Sequence, residues 1–233
     1  MTTDMGRQET PRALVTGCSS GIGLEITRRL LRDGWQVTGL SRRAPDIEDP
    51  GLTFVPVDLS DPEATEAALA SVGPMRAVVH AAGLLRVGGH ESLDRDEGAR
   101  MWRLHVDVAA QLVSALAPGM ADGGRFVLVG SRVAAGAAGR SLYAASKSAL
   151  VGFARSVAAE LAPRGITVNI VAPGATDTPM LHDPARAGSA PRKPPMGRLV
   201  KPAEVAGTAV FLLSDDAASI TGQQIVLCGG GSL

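Results

Sequence analysis

The sequence predicts an α/β protein: a doubly wound, mostly parallel sheet of seven strands with helices packed on both faces. Two observations predict it. Seven short apolar runs recur along the 233 residues, and segments long enough for helices separate them. Each run is almost continuously hydrophobic, which suits a strand covered on both faces rather than one with a wet side. Alternation of strand and helix then implies right-handed crossovers, which lay helices above and below the sheet.

In chain order the strands are RALVTG, WQVTGL, TFVPV, AVVHAAG, RFVLVG, ITVNIV and QQIVLC. After the first, Ile22, Ile26 and Leu30 repeat at helical spacing until Asp33-Gly34 ends the segment. A long helix is expected from about Asp94 to Leu116, stopped by Pro118-Gly119, and another from about Leu142 to Leu161, stopped by Pro163 and Gly165. A last helix follows Pro202, with Glu204 in its first turn. Residues 1–11 read as a flexible tail and 12–233 as one domain. Within it the stretch 174–200, rich in Pro, Gly and Ser, is long for a plain connection and is expected to be a substrate lid. There is no internal repeat and no low-complexity segment.

Composition narrows the function. Twenty-three basic residues balance twenty-three acidic ones without a basic stripe, which argues against nucleic acid as a partner. The opening MTTDMGRQETPR lacks the apolar core of a signal peptide, and no apolar run is long enough to span a bilayer. Cys18 and Cys228 fit neither metal-ligand spacing nor a disulfide framework, so no metal is expected. A cytoplasmic protein in a reducing compartment is the expectation. Aromatic residues make up only 3% of the chain, so the core must be built from Ala, Val, Leu and Ile.

VTGCSSGIG follows the first strand and opens the first helix. Gly17, Gly21 and Gly23 depart from the G-x-G-x-x-G spacing, but the physics is the same. Glycines turn the chain sharply and let backbone N–H groups approach a pyrophosphate at a helix N-terminus. Taken alone the loop could equally be a tight turn needing positive φ. Its position, between a strand and a helix at the head of an alternating chain, favours a nucleotide.

RSLYAASKSAL holds the only tyrosine of the chain, Tyr143, four residues before Lys147. On a helix the two are neighbours. Adjacency alone leaves two readings open, a packed aromatic beside a solvated lysine or an acid–base pair. Three motifs in order decide the expectation: T-G-x-x-x-G-I-G at the N-terminus, Ser131 after the fifth strand, and Y-x-x-x-K on the next helix. Together they resemble the short-chain dehydrogenase/reductase family, over nearly the whole chain from about residue 12. Asp58-Leu59, HAAG (80–83), PGATDT (173–178) and ITGQ (220–223) support the resemblance.

The resemblance implies a Rossmann-type fold, a nicotinamide cofactor and a small-molecule ketone or secondary alcohol as substrate. It puts the cofactor against Gly17, Ser19, Ser20, Gly21, Ile22 and Gly23 of the loop. Asp58 and Leu59 would meet the adenine, Ala81, Ala82 and Gly83 the ribose, and Pro173, Gly174, Thr176 and Thr178 the carboxamide and pyrophosphate. Tyr143 would be the general acid or base and Ser131 would bond the same substrate oxygen. Lys147 would hold the nicotinamide ribose and favour the phenolate. A 3-oxoacyl thioester is one substrate class this implies, and a homotetramer or dimer built partly from the two long helices is the implied assembly.

The end of the second strand speaks to cofactor choice. A free ribose 2′-OH usually meets an acidic residue about 20 positions past the glycine loop. LSRR stands there instead, and a guanidinium pairs bidentately with a 2′-phosphate. Arg42, with the hydroxyl of Ser41, therefore favours NADP(H) over NAD(H), although Asp46 and Glu48 lie close by and Ser20 is not the basic residue of many NADP-preferring members. The rival is a pair of solvated arginines, with NAD(H) then accepted.

Two positions depart from the family pattern. His105 occupies the place of an asparagine whose backbone carbonyl positions a relay water. Its imidazole could join that relay, its backbone could do the work alone, or it could be a helix-interface residue. Cys228 replaces an aspartate. A non-catalytic NADP-binding regulator on the same fold is the alternative function; intact Ser131, Tyr143 and Lys147 weigh against it. Arg186, Arg192 and Lys193 in the lid suggest an acidic substrate or plain solvated charge, and His182 is a minor substrate-contact candidate.

Overall fold

The computed structural model describes residues 10–183 and 193–233. Most of the expected tail, and the part of the expected lid that carries Arg186 and Arg192, fall outside the described residues.

The seven expected strands all form: β1 Arg12–Thr16, β2 Gln36–Ser41, β3 Leu52–Pro56, β4 Ala77–His80, β5 Arg125–Val129, β6 Thr167–Pro173 and β7 Gln224–Leu227. They build one sheet in the order β3-β2-β1-β4-β5-β6-β7. Every pairing is parallel, so the sheet is more uniform than the mostly parallel one expected. The chain winds outward from β1 in one direction and from β4 in the other. A crevice therefore opens at the carboxyl ends of β1 and β4, where crossovers depart to opposite faces.

Residues alternate between two cores because successive strand side chains point to opposite faces. Leu14, Val78, Phe126, Leu128 and Ile170 pack under α2 (Pro62–Ala70), α4 (Val108–Leu116) and α5 (Ser141–Leu161). Ala13, Val15, Val79, Val127 and Val171 face α1 (Gly21–Arg32) and α6 (Pro202–Leu213). Each fully buried Leu or Ile contributes roughly 1.5–3 kcal/mol, so the two layers together hold the sheet edge rigid where the functional loops emerge.

The helix expected from Asp94 to Leu116 is interrupted. Asp94 caps it, its side chain accepting from the N–H groups of Asp96 and Glu97, and α3 (Arg95–Trp102) leads into a π-turn at Arg103–Asp107 before α4 begins. At the turn the Val108 N–H reaches back five residues to Arg103 O. The sequence reading also passed over α2, which Asp61 caps through bonds from Glu63 N and Ala64 N, with Pro62 at its first position.

After β6 the chain makes a 3₁₀ turn at Pro179–His182 and returns to the sheet region, where Thr176 pairs with Val200. Glu204 closes the entry to α6 by accepting from Lys201 N at 2.8 Å and from Arg198. Cys228 ends β7 at a tight turn, where a Cβ on Gly174 would lie 2.9 Å from the Cys228 Cβ. Burial raises the pKa of the Cys228 thiol, but the hydroxyl and N–H of Ser232 and the N–H groups of Gly230 and Gly231 outweigh it and hold the thiol below its ordinary value. The sulfur thus caps the C-terminal turn as an acceptor, which is work an aspartate could also do.

Candidate functional site

The glycine loop is a backbone cradle. Gly17 and Gly21 adopt φ of +69° and +55°, which L side chains rarely do. A Cβ on Gly17 would sit 2.8 Å from Ala82 N, and one on Gly23 would sit 2.2 Å from Gly17 O. The loop therefore lies against the β4 loop and folds tightly onto its own helix. Ser20 stands at the N-cap of α1 without a side-chain capping bond, which leaves the first-turn N–H groups to an anion. Ser19 and Ile22 flank the same turn. These residues fit a pyrophosphate.

At the far end of that crevice, Arg42 and Arg43 are exposed just past β2. The Ser41 hydroxyl donates to Arg43 O at 2.7 Å and lies 3.2 Å from the Cys18 sulfur. Its proton is thus committed to the turn, so Ser41 shapes the presentation of the arginines rather than offering a donor of its own. Burial pushes the Cys18 thiol up despite that contact. Asp58, exposed after β3, accepts from the hydroxyl and N–H of Ser60. Those two bonds, with smaller help from Arg42 and Arg100, hold its carboxyl below its ordinary value. Arg42 and Asp58 thus feel each other across the mouth, while Leu59 is buried beneath.

The β4 loop is organised by groups that lie in the sequence motifs but to which the sequence alone assigns no role. Thr16 Oγ1 accepts from both Ala81 N and Ala82 N at 3.1 Å and lies 2.8 Å from His80 Nδ1. With its acceptor positions taken, the hydroxyl donates to Nδ1. His80 must then carry its proton on Nε2, which donates to Leu104 O at 3.0 Å inside the π-turn. His105, fully buried, has the opposite tautomer. Its Nε2 accepts from Leu84 N at 3.2 Å, so Nδ1 holds the proton and donates to Ser146 Oγ at 2.9 Å. Ser146 in turn donates to Tyr143 O at 2.9 Å. Gly83 is needed here, since a Cβ would come 3.1 Å from His105 Nε2 and 3.7 Å from Lys147 Nζ.

Burial and the charge of Lys147 lower the His80 pKa to about 3 and push that of His105 well below its ordinary value. Both rings are neutral. The geometry agrees, because a second proton on His105 would confront the Leu84 N–H.

Lys147 is not the solvated lysine of the bland reading. Only 4% exposed, it donates from Nζ to Val129 O at 2.8 Å, and desolvation lowers its pKa to about 7. Tyr143, one turn earlier on α5, presents its ring to His105 in a T-shaped contact with centroids 5.6 Å apart. Ser131 caps the 3₁₀ turn Arg132–Ala135, its Oγ accepting from Val133 N at 3.1 Å. A hydroxyl that accepts there keeps its proton to donate elsewhere. That turn packs on α5, which brings Ser131 to the Tyr143 side.

The β6 loop completes the ring. Gly174 N donates to Leu227 O, Thr176 Oγ1 to Gly174 O, and Thr178 Oγ1 to Thr176 O. The Thr178 side chain lies about the glycine cradle, 3.2 Å from where a Cβ on Gly21 would stand. Pro173 ends β6. His182 turns instead to Asp177, at 3.1 Å, and is mostly exposed. The loop residues expected to meet a dinucleotide therefore converge at the carboxyl ends of β1, β4, β5 and β6. Among the described residues no cluster of three or more His, Cys, Asp or Glu could hold a metal ion, and no helix is long and apolar enough to cross a membrane.

The chain is similar to known proteins over nearly its whole length. A family model described as enoyl-(acyl carrier protein) reductase matches residues 17–232. A 3-oxoacyl-[acyl-carrier-protein] reductase of Salmonella typhimurium is 36% identical over 237 residues, covering 94% of this chain and 96% of that one. An L-xylulose reductase of Bos taurus is 33% identical, with 94% and 95% covered. A solved short chain dehydrogenase of Burkholderia cenocepacia, in complex with NADP, has a TM-score of 0.87 at 33% identity over 96% of this chain and 98% of its own.

The two neutral histidines make acid stability a test of the site. Their folded pKa values lie below the unfolded value, so the unfolded chain takes up protons first as the pH falls. For His80 this stability is complete above about pH 6.5 and is lost below it, by about 2 kcal/mol at pH 5, and His105 adds a loss of the same sign. Denaturant midpoints between pH 7.5 and 5 should show this loss. His80→Gln, which can still donate to Leu104 O, should remove the His80 share of it.

Proposed function

The chain belongs to the short-chain dehydrogenase/reductase family of oxidoreductases acting on C=O and CH–OH groups, and from that premise we propose an NADP(H)-dependent enzyme with Tyr143 as its acid–base residue. The observation that carries this reading is the buried Lys147 one turn from the lone tyrosine, under the β4 loop that lies against the glycine cradle. A lysine is rarely taken out of water without a charge to serve.

The cradle residues Gly17 to Gly23 would hold the pyrophosphate, Ala81 to Gly83 the ribose side, and Pro173 to Thr178 the carboxamide. Bound there, a nicotinamide would supply or take up the hydride. The chain's own part is proton management and alignment. In reduction, Tyr143 gives its phenolic proton to the carbonyl oxygen while the Ser131 hydroxyl donates to the same atom. In oxidation, the phenolate withdraws the proton of the alcohol. Lys147 stabilises that phenolate, and the phenolate in turn favours the ammonium, so the pair titrates as a unit. A regulator without turnover would have no use for this burial.

Arg42 supports NADP(H), since it stands exposed just past β2, where an acidic residue would usually receive a 2′-hydroxyl. The relative bound to NADP is consistent with it. Of the substrate classes, a 3-oxoacyl thioester comes first on the likeness to the Salmonella reductase. Within the stretch 174–200, Thr178 lies beside the cradle, so in this reading the described residues around it face the substrate. We also place a homotetramer on the outward faces of the long helices, where Trp102 is 45% exposed and Gly152 has open space around its Cα.

Three measurements test these points. NADPH should bind more tightly than NADH, and Arg42→Asp should erode or reverse the preference, at a cost of about 1.5–3 kcal/mol. Equal affinity of the native chain for both cofactors would sink the assignment. Sedimentation should give a species of four chains; a monomer at micromolar concentration would remove the assembly.

The third follows the lone tyrosine by ultraviolet difference absorbance in the complex with oxidised cofactor, with Tyr143→Phe as the blank. A free phenol ionises near pH 10, and bringing it to about 7 needs ~4 kcal/mol of differential stabilisation at ~1.4 kcal/mol per unit. Ionisation should fall toward neutrality and rise again in Lys147→Met. Tyr143→Phe should keep cofactor binding and lose hydride transfer. A phenol titrating near 10 would return Tyr143 to the role of packed aromatic.

A further inference from the structure

We propose that His105 is a positioning residue for Tyr143, a fixed neutral bridge between the β4 loop and the start of α5, and not a carrier of the reaction's proton. The inference rests on the reading of Tyr143 as the acid–base residue.

Three contacts converge on one ring. Nε2 is occupied by the Leu84 N–H, Nδ1–H by Ser146 Oγ, and the ring stands at 84° to that of Tyr143. Ser146 relays the hold to the Tyr143 backbone carbonyl. Backbone and ring of Tyr143 are therefore both referred to the same imidazole. A proton carrier must alternate between accepting and donating at a nitrogen open to the relay. Here one nitrogen faces a backbone donor that cannot reverse, and the other faces a hydroxyl whose own proton is pinned on a carbonyl. The charged groups around it also oppose a second proton: Lys147 lies on the α5 side, and His80 holds the adjacent Leu104 carbonyl from β4.

His80 fixes the anchor at the other end. By donating to Leu104 O, and by being held itself by Thr16, it pins the π-turn from which His105 projects. The site thus inherits its placement from the strand ends.

The two nitrogens of the ring can be tested separately. The amide nitrogen of His105→Asn stands near Nδ1 and can still donate to Ser146. The amide oxygen of His105→Gln stands near Nε2 and can still accept from Leu84, but the Ser146 arm is lost. His105→Phe fills the space and keeps neither. Turnover, cofactor affinity, melting temperature and the Tyr143 ultraviolet titration would be measured on each variant. The hydrogen bond to Ser146 predicts about threefold lower kcat for Asn and tenfold or more for Gln and Phe. KM and cofactor affinity should be nearly unchanged, and the Tyr143 ionisation should move with kcat.

Equal collapse of Asn and Gln, with loss of one limb of the kcat–pH profile and the Tyr143 titration unmoved, would put the imidazole in the relay and overturn the proposal. Full activity of His105→Phe would overturn it in favour of simple packing. Nitrogen-15 NMR of the native chain gives an answer independent of turnover: His105 should show a proton on Nδ1 and a bare Nε2, without titration between pH 5 and 8. The reverse tautomer would also overturn the bridge. If Tyr143→Phe kept its turnover, the acid–base reading would fail on its own, whatever the state of His105.

Discussion

The hydroxyl of Thr16 is the interaction on which the rest depends. It sits at the end of β1 and gathers two N–H groups from the chain leaving β4, so it joins the two strands where the winding reverses direction. A crevice at such a point is only as well defined as the tie across it. Without that bond the β4 loop would lose its register against Gly17, which it approaches closely enough to forbid a side chain. The same hydroxyl sets the tautomer of His80, and through it the carbonyl of the π-turn. One small polar group thus aligns the glycine loop and the helix that carries His105.

Electrostatics adds a second constraint. Burying Lys147 strips its hydration and is tolerated because Val129 O takes one of its protons. The same nitrogen lies 3.7 Å from where a Cβ on Gly83 would stand. Two histidines beside it stay neutral partly because that charge is present, so the pocket holds one cation and excludes others. Under the proposed acid–base role of Tyr143, a site arranged this way would favour a negative charge forming on the tyrosine oxygen.

Much of this was legible in the sequence, and the rest has a physical reason for its silence. Buried parallel strands write themselves as continuous apolar runs, and all seven were readable. The helix α2 was not, because PEATEAALA buries only Thr65 and Leu69 and shows no stripe. The π-turn was hidden since Met101, His105, Val108, Leu112 and Leu116, all buried, keep ordinary helical spacing. The residues in motifs announced themselves. Thr16, His80 and Ser146 stand inside those motifs, but their roles were not readable, because their partners are brought in by the fold; Thr16 and His80 are 64 positions apart. Nor does a lysine in a motif disclose that it is buried, since lysines on helices usually face water.

The π-turn also changes how one helix can serve two neighbours. An α-helix advances by about 100° per residue, so one inserted residue rotates everything before it by roughly that angle relative to everything after it. Ahead of the insertion α3 lies on α5, and beyond it α4 lies on α2. A single straight rod would present one stripe and would have to choose between them. Here the rod is re-indexed midway, so that its first half belongs with the helix of Tyr143 and Lys147 and its second with α2.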